Sequence, residues 1–139
     1  MKRLLTMIMF AALAVGCGNA QNKTATKKID NESTTTRITT VGVEKFTEII
    51  RQKDVRLIDV RTPKEYAEGH IYGADNIDVN AADFGERIKN IEGKVAVYCR
   101  SGKRSMKAAE QLAAQGCTVY NLRGGILAWN KNWLNVEKD

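Results

Sequence analysis

From about residue 38 onward, short apolar runs alternate with stretches in which apolar residues recur at helical spacing. Short buried strands are predicted by the apolar runs at residues 55–60, 76–79, 94–98 and 118–122. The helical spacing predicts helices over residues 43–51, 81–91, 103–115 and 125–133. Gly116 is placed to end the third of these helices, because glycine readily adopts the left-handed conformation that closes a helix.

This alternation of strand and helix predicts the α/β class. Strands joined through helices run parallel, with right-handed crossovers, and helices cover both faces of the sheet. Ligands of such sheets bind outside the carboxyl ends of the strands. Residues that directly follow a predicted strand are therefore the first candidates for a functional site.

Cys99 occupies such a position, directly after the strand 94–98 and before the helix 103–115. Backbone N–H groups at the start of a helix and nearby positive charge lower the pKa of a thiol and favour the nucleophilic thiolate. The loop and first helical turn after the cysteine carry three basic residues and one glycine; the run is Arg100, Ser101, Gly102, Lys103, Arg104, Ser105. A purely structural cysteine has no use for three cations, so Cys99 is the predicted catalytic residue and this run its substrate-binding loop.

The first residues have the pattern of a bacterial export signal. Lys2 and Arg3 precede an apolar segment, residues 4–15, which is too short for a permanent membrane span. Residues 14–17, Ala-Val-Gly-Cys, resemble a lipobox, in which the cysteine is acylated and becomes the mature N-terminus. We therefore expect residues 1–17 to be a signal ending at Cys17, the lipidation site. The alternative is ordinary cleavage nearby, with Cys17 an unmodified thiol.

A polar segment separates this signal from the periodic part of the chain. Residues 18–37 are rich in Thr, Asn, Lys and Ser and offer almost nothing to bury, which predicts a disordered tether before a domain at residues 38–139. The expected location is extracytoplasmic, on a bacterial membrane through the lipid anchor. The net charge is +6, but several of the lysines lie in the tether, so the charge does not indicate a nucleic-acid partner.

The three cysteines do not form a disulfide framework. Cys117 begins the later strand, in the run Cys117-Thr118-Val119-Tyr120, so in a parallel sheet its sulfur lies at the opposite edge from Cys99, too far to be bridged. We expect Cys117 to be a small buried apolar residue. His70 is the only histidine, and without a cluster of ligands at metal-binding spacing it predicts no metal site.

Three ordered motifs resemble those of the rhodanese homology domain. The first covers residues 57–66 and 69–77, and contains Asp59, Arg61 and Glu65. The second is the Cys99 loop, and the third is Leu122-Arg123-Gly124-Gly125-Ile126 with Trp129. Together they extend over residues 38–135, essentially the whole predicted domain. The resemblance implies a single small, mostly parallel five-stranded sheet with helices on both faces.

The resemblance also implies a sulfurtransferase. Cys99 would take sulfane sulfur from a small anionic donor such as thiosulfate and pass it, as a persulfide, to a thiol or cyanide acceptor, without a cofactor. The alternative is a carrier module that hands sulfur to a protein partner with little turnover of thiosulfate. Tyrosine phosphatases are disfavoured, because their arginine lies six positions after the cysteine, where this chain has Ser105.

The remaining motif residues favour structural roles. Asp59 and Arg61 end a strand, Pro63 can open a helix, and Glu65 is within reach of Arg61, so we expect a charge network that fixes the loop. Gly124 and Gly125 indicate close backbone packing rather than a phosphate cradle, because no dinucleotide-binding glycine pattern follows a strand.

Overall fold

The computed structural model describes residues 34–132 and 134–138, so Cys17 and most of the predicted tether lie outside the described part. The strands are β1 (Ile38–Val41), β2 (Val55–Asp59), β3 (His70–Ile71), β4 (Asp75–Asn76), β5 (Lys94–Tyr98), β6 (Thr118–Leu122) and β7 (Val136–Glu137). The helices are α1 (Val43–Ile50), α2 (Pro63–Ala67), α3 (Phe84–Ile88), α4 (Lys103–Ala114) and α5 (Gly125–Lys131).

The main sheet has five strands in the order β1-β6-β5-β2-β4, and every neighbouring pair is parallel. Its central strands are apolar because both of their faces are covered. Successive side chains of β5 alternate between the two faces: Val95 and Val97 join one buried cluster, whereas Ala96 and Tyr98 join the other. The predicted α/β class and five-stranded sheet are confirmed.

Each face of the sheet is covered by two principal helices. The first cluster contains Phe84 and Ile88 of α3 together with the inward face of α4, at Ala108, Ala109, Leu112 and Ala113. The second contains Phe46 and Ile49 of α1 and Ile126 and Trp129 of α5. Residues three or four apart lie on one face of a helix, which is why these pairs point inward together.

Several element boundaries differ from the sequence prediction. Helix α3 is Phe84–Ile88 rather than 81–91, because Asp78 and Asn80 form a turn before it and a further turn follows Ile88. The predicted strand 76–79 pairs only at its start, as β4, although the N–H groups of Ile77 and Val79 still bond to the carbonyls of Asp59 and Val60 at the end of β2.

Three strands were not predicted. Strand β1 has two threonines among its four residues, and β3 and β7 form a separate two-stranded antiparallel sheet of two residues each. Such short segments carry too little periodicity to be read as strands. Just before β1, Arg37 donates from Nη1 to the carbonyl of Gly116 at 3.1 Å, and its own carbonyl accepts from Val119 at 2.8 Å. The chain is therefore fixed to the domain one residue before the predicted boundary.

Among the described residues no helix is long and apolar enough to cross a membrane.

Candidate active site

Cys99 lies directly after β5, at the carboxyl edge of the sheet, and its side chain is 1% exposed. Its sulfur accepts a hydrogen bond from the backbone N–H of Gly102 at 3.1 Å and lies 3.4 Å from the hydroxyl oxygen of Ser105. The loop thus curls over the sulfur and turns its N–H groups inward, as is typical of backbone sites that bind an anion.

The surroundings of Cys99 favour its thiolate. Burial opposes ionisation, but hydrogen bonds from Ser105 and from the backbone N–H groups of Gly102 and Ser101 outweigh it and lower the pKa of Cys99 below its ordinary value. These donors belong to the loop and to the first turn of α4, whose N–H groups have no partner inside the helix. The effect has the direction predicted from the sequence.

Gly102 makes this loop possible. It has φ of +102°, in the region that residues with a side chain rarely adopt, and a Cβ there would meet the carbonyl oxygen of Leu122 at 3.3 Å. Lys103 follows as the first residue of α4, while Arg100 and Ser101 are exposed on the loop. The predicted loop is therefore a single structural unit around the sulfur.

The start of α5 holds the loop from behind. The N–H groups of Ile126 and Leu127 donate to the carbonyls of Cys99 and Arg100 at 2.9 and 3.2 Å. A Cβ on Gly125 would lie 2.4 Å from both of these carbonyl oxygens, so only glycine fits there. The Gly124-Gly125 pair marks close backbone packing, as the sequence predicted.

The network of Asp59, Arg61 and Glu65 differs from the prediction at Glu65. Asp59 and Arg61 form a buried ion pair at 2.6 Å, and Arg61 also donates to the carbonyl of Gly69 at 2.8 Å. Glu65 instead pairs with Arg104, whose two terminal guanidinium nitrogens donate to its carboxylate at 2.8 and 2.7 Å. Glu65 therefore joins the network through Arg104 and acts on Arg61 by its charge alone, because Glu65 lies at the start of α2 and faces the start of α4.

This pairing decides which basic residues of the loop are free to attract an anion. Arg104 is bound to Glu65, and its guanidinium lowers the pKa of Glu65 to about 2. Burial of the carboxylate opposes this shift, and the hydrogen bond from the Thr62 N–H adds to it. Arg100 and Lys103 make no ion pair within residues 34–132 and 134–138. The free cations beside the site are therefore Arg100 and Lys103, rather than all three basic residues.

Sequence reasoning missed Thr62 and Asn121. Thr62 forms a capping box with Glu65 at the start of α2, and its spacing, Thr followed three residues later by Glu, could have shown it. Asn121 lies under the loop, with Oδ1 2.6 Å from the hydroxyl oxygen of Ser105. The sequence feature that could have indicated Asn121 is a polar residue two positions after Val119, on the same face of an otherwise apolar strand.

Cys117 lies at the opposite edge of the sheet, just before β6, and is buried. Its thiol donates to the carbonyl of Ile91 at 3.2 Å, and burial raises its pKa. His70 is buried and stacked on Tyr66, and within the described part of the chain no group of three or more His, Cys, Asp or Glu side chains is placed to hold a metal ion.

A cavity of about 480 Å³ adjoins the loop at Arg100. Its walls come from α2, from α5 and from the C-terminal segment, at Glu65, Glu68, Leu127, Asn130, Val136 and Lys138. The cavity offers room beside the loop, and because its walls carry charges of both signs it suits a polar molecule.

Comparison with known proteins points to one family. A model of the rhodanese-like domain matches residues 42–132. The chain is 41% identical to a sulfurtransferase of Allochromatium vinosum over 87 residues, which covers 60% of this chain and 79% of that protein. It is 38% identical over 86 residues to the thiosulfate sulfurtransferase GlpE of Pseudomonas fluorescens, which covers 60% of this chain and 78% of that protein.

Two further proteins are similar over other shares of the chain. An uncharacterized protein of Bacillus subtilis is 40% identical over 78 residues, which is 55% of this chain but only 62% of that protein. The crystal structure of a rhodanese-related protein from Thermoplasma volcanium superposes with a TM-score of 0.64 at 29% identity, covering 72% of this chain and 98% of the other.

Proposed function

The chain belongs to the rhodanese-like domain family, and from that premise we propose that it transfers sulfane sulfur from a thiosulfate-like anion to a thiol or cyanide through a persulfide on Cys99. Its relatives support sulfur transfer in general. The observation that carries the finer proposal is the buried Cys99 sulfur, which faces inward-pointing N–H groups and has a lowered pKa.

The first step is a nucleophilic displacement at sulfur. The Cys99 thiolate attacks the outer sulfur of the donor, a new S–S bond forms, and the bond to the rest of the donor breaks with its electron pair; from thiosulfate the leaving group is sulfite. The terminal sulfur of the persulfide is anionic, and the N–H groups that stabilise the thiolate also stabilise it. Arg100 and Lys103 attract the anionic donor to the loop.

The second step regenerates the enzyme. A thiol or cyanide attacks the terminal sulfur of the persulfide, and Cys99 leaves as a thiolate, which is the group that its surroundings favour. No net oxidant or reductant is required. We place the acceptor in the cavity beside Arg100, because this cavity adjoins the loop.

The alternative is a carrier that accepts one sulfur and delivers it to a protein partner, with little turnover of thiosulfate. The test is the yield of thiocyanate from thiosulfate and cyanide with the full chain. An enzyme gives many equivalents of thiocyanate per protein molecule, and Cys99→Ser gives none above background. A yield that stops at about one equivalent would reject the enzyme and establish the carrier.

We further propose that the domain is held on an extracytoplasmic membrane surface by acylation of Cys17. The support is the resemblance of residues 14–17 to a lipobox after a short apolar segment. The described chain enters the domain at Arg37, beside Gly116 and before the first strand of a parallel sheet. An anchor upstream of Arg37 is therefore attached at the edge opposite Cys99.

A further inference from the structure

Asn121 is a buried polar residue on an otherwise apolar face of the sheet. It is 2% exposed and lies two residues after Val119 on β6, so both side chains point toward α4. The amide has two neighbours there: Oδ1 is 2.6 Å from the Ser105 hydroxyl, and Nδ2 is 3.5 Å from the carbonyl oxygen of Gly102. A buried amide costs free energy unless it is hydrogen-bonded, so this placement needs a reason.

The hydroxyl of Ser105 has one proton and two neighbours that can accept it. One is Oδ1 of Asn121 at 2.6 Å, and the other is the Cys99 sulfur at 3.4 Å. Since a hydroxyl donates only one hydrogen bond, it cannot serve both acceptors at once. The shorter distance is in the usual range for an O–H donor, which puts the proton on the side of Asn121 while Cys99 is a neutral thiol.

The amide orientation supports this assignment. With Oδ1 toward Ser105, the Nδ2 group faces the carbonyl of Gly102. The opposite orientation would place two acceptor oxygens face to face and would put an N–H donor at 2.6 Å, shorter than such bonds usually are. Asn121 is therefore held as an acceptor for Ser105 by the same loop that surrounds the sulfur.

We infer that Asn121 is a positioning residue for the nucleophile, which competes with Cys99 for the single proton of the Ser105 hydroxyl. In the thiol state Ser105 donates to Asn121, and its lone pairs face the sulfur and accept from the S–H group. When Cys99 loses its proton, the hydroxyl turns to donate to the thiolate, and Oδ1 of Asn121 gives up its bond. Asn121 thus stabilises the resting thiol against the reactive thiolate.

This competition predicts substitutions with opposite signs. Removing the acceptor with Asn121→Leu leaves the Ser105 proton free for the thiolate, so Cys99 should ionise at a pH lower by about one unit. Removing the donor with Ser105→Ala should raise the midpoint of Cys99 ionisation, which is the pH at which half of the thiol is ionised, by about one pH unit. Asn121→Asp, which places a carboxylate at the acceptor position, should also move it up.

The charged groups around the sulfur are not altered by Asn121→Leu or Ser105→Ala. The loop and α4 carry Arg100, Lys103 and Arg104, and α2 carries Glu65. The end of β2 and the residues after it carry the Asp59–Arg61 pair, and the segment after β4 carries Asp78, whose charge acts on Arg104. A shift between these variants therefore reports the hydrogen bonds of Ser105 rather than a change in local charge.

The experiment measures the rate of iodoacetamide alkylation of Cys99 against pH in the full chain, with the Cys99 peptide resolved by mass. The role of Asn121 in catalysis rests on the proposed function, but the alkylation rate is measured without sulfur transfer. A loss of sulfur transfer and a loss of the shift in the alkylation midpoint are therefore separate results. We expect Asn121→Leu to lower the midpoint, Ser105→Ala to raise it, and the double variant to match Ser105→Ala, because Asn121 acts only through Ser105.

Asn121→Ala serves as a second variant if the leucine disturbs the fold, as judged by circular dichroism, and its midpoint should move in the same direction. A midpoint that rises or stays unchanged in a folded Asn121→Leu or Asn121→Ala protein would overturn the inference. A double variant whose midpoint lies below that of Ser105→Ala alone would also overturn it.

Discussion

Cys99 and Cys117 have the same functional group, but their surroundings shift the pKa values of the two thiols in opposite directions. Both are buried at 1% exposure. Burial opposes ionisation at both sites. At Cys99 the N–H and hydroxyl donors of the loop outweigh burial and lower the pKa, whereas at Cys117 burial outweighs the bond from the Gln115 amide and raises the pKa. The difference in pKa between the two thiols is therefore set by the donors that the loop supplies and not by exposure.

The free cations of the loop give the first prediction. Arg100→Ala and Lys103→Ala should each raise the KM for thiosulfate roughly three- to ten-fold with little change in kcat, because they attract the anion without touching the reacting sulfur. The dependence of KM on salt should weaken in both variants. Initial rates at two ionic strengths measure this.

Lys53→Ala is the matched control, since Lys53 is an exposed lysine just before β2, at the edge of the sheet away from Cys99. It should keep the wild-type KM. A fall in kcat with unchanged KM in the loop variants would contradict the attraction of the donor and would place these residues at the transition state.

At the scale of elements, two helices hold the Cys99 loop: α4 continues from it, and α5 donates to it from behind. The contact with α5 depends on Gly125, which leaves no room for a side chain beside the carbonyls of Cys99 and Arg100. Because backbone atoms cannot yield as a flexible side chain can, this contact is a rigid constraint on the loop.

Gly125→Ala should therefore destabilise the domain by about 2–4 kcal/mol, from overlap with the loop carbonyls and from a positive φ. Chemical denaturation measures the change. Gly85→Ala is the control: it lies within α3 with open space around its Cβ position, and should be neutral or stabilising by up to about 1 kcal/mol. Equal stability of the two variants would show that the loop does not depend on this contact.

The ion pair between α2 and α4 predicts a pH dependence of stability. The pKa of Glu65 is about 2 in the folded protein and about 4.3 in an unfolded chain. A depressed folded pKa adds stability that is fully present above the unfolded value and is lost as the pH falls toward 2. Glu65→Gln should therefore reduce the decline of the free energy of unfolding between about pH 5 and pH 2.

Glu110→Gln, on the exposed side of α4 and without an ion-pair partner in the described part of the chain, is the control for this prediction. It should keep the wild-type decline. If Glu65→Gln also keeps it, the contact with Arg104 does not stabilise the fold.

Sequence patterns predicted the strands and helices that carry strong periodicity, including β5, α4 and the position of Cys99 between them. They did not predict β1, with two threonines, or the two-residue strands β3 and β7. The pairing of Glu65 with Arg104 joins residues 39 positions apart, and only the packing of α2 beside the loop decides it. The preference of Glu65 for the nearer Arg61 was a local argument that tertiary structure overrode.

At the scale of the whole molecule, the parallel sheet places the entry of the chain and the site at opposite edges. Arg37 lies beside Gly116, before β1 and β6, whereas Cys99 follows the end of β5. If Cys17 is acylated as we propose, the chain that leads to the anchor joins the domain at the edge of the sheet away from the site.

Cys17→Ser should accordingly release the protein from the membrane fraction without changing its thiosulfate turnover, because the anchor is attached far from the site. Immunoblotting of fractions after a carbonate wash measures the release. Persistence of the variant in the washed membranes would contradict the anchor.

The central claim is that one cysteine, Cys99, carries the transferred sulfur. The most direct measurement is the mass of the full chain after incubation with thiosulfate, followed by removal of the excess donor and mapping of the peptides. We predict one added sulfur on the Cys99 peptide, none in Cys99→Ser, and an unchanged result in Cys117→Ala, with the added sulfur removed by cyanide. Sulfur found on Cys117, or a folded Cys99→Ser protein that still gains and transfers it, would contradict the account.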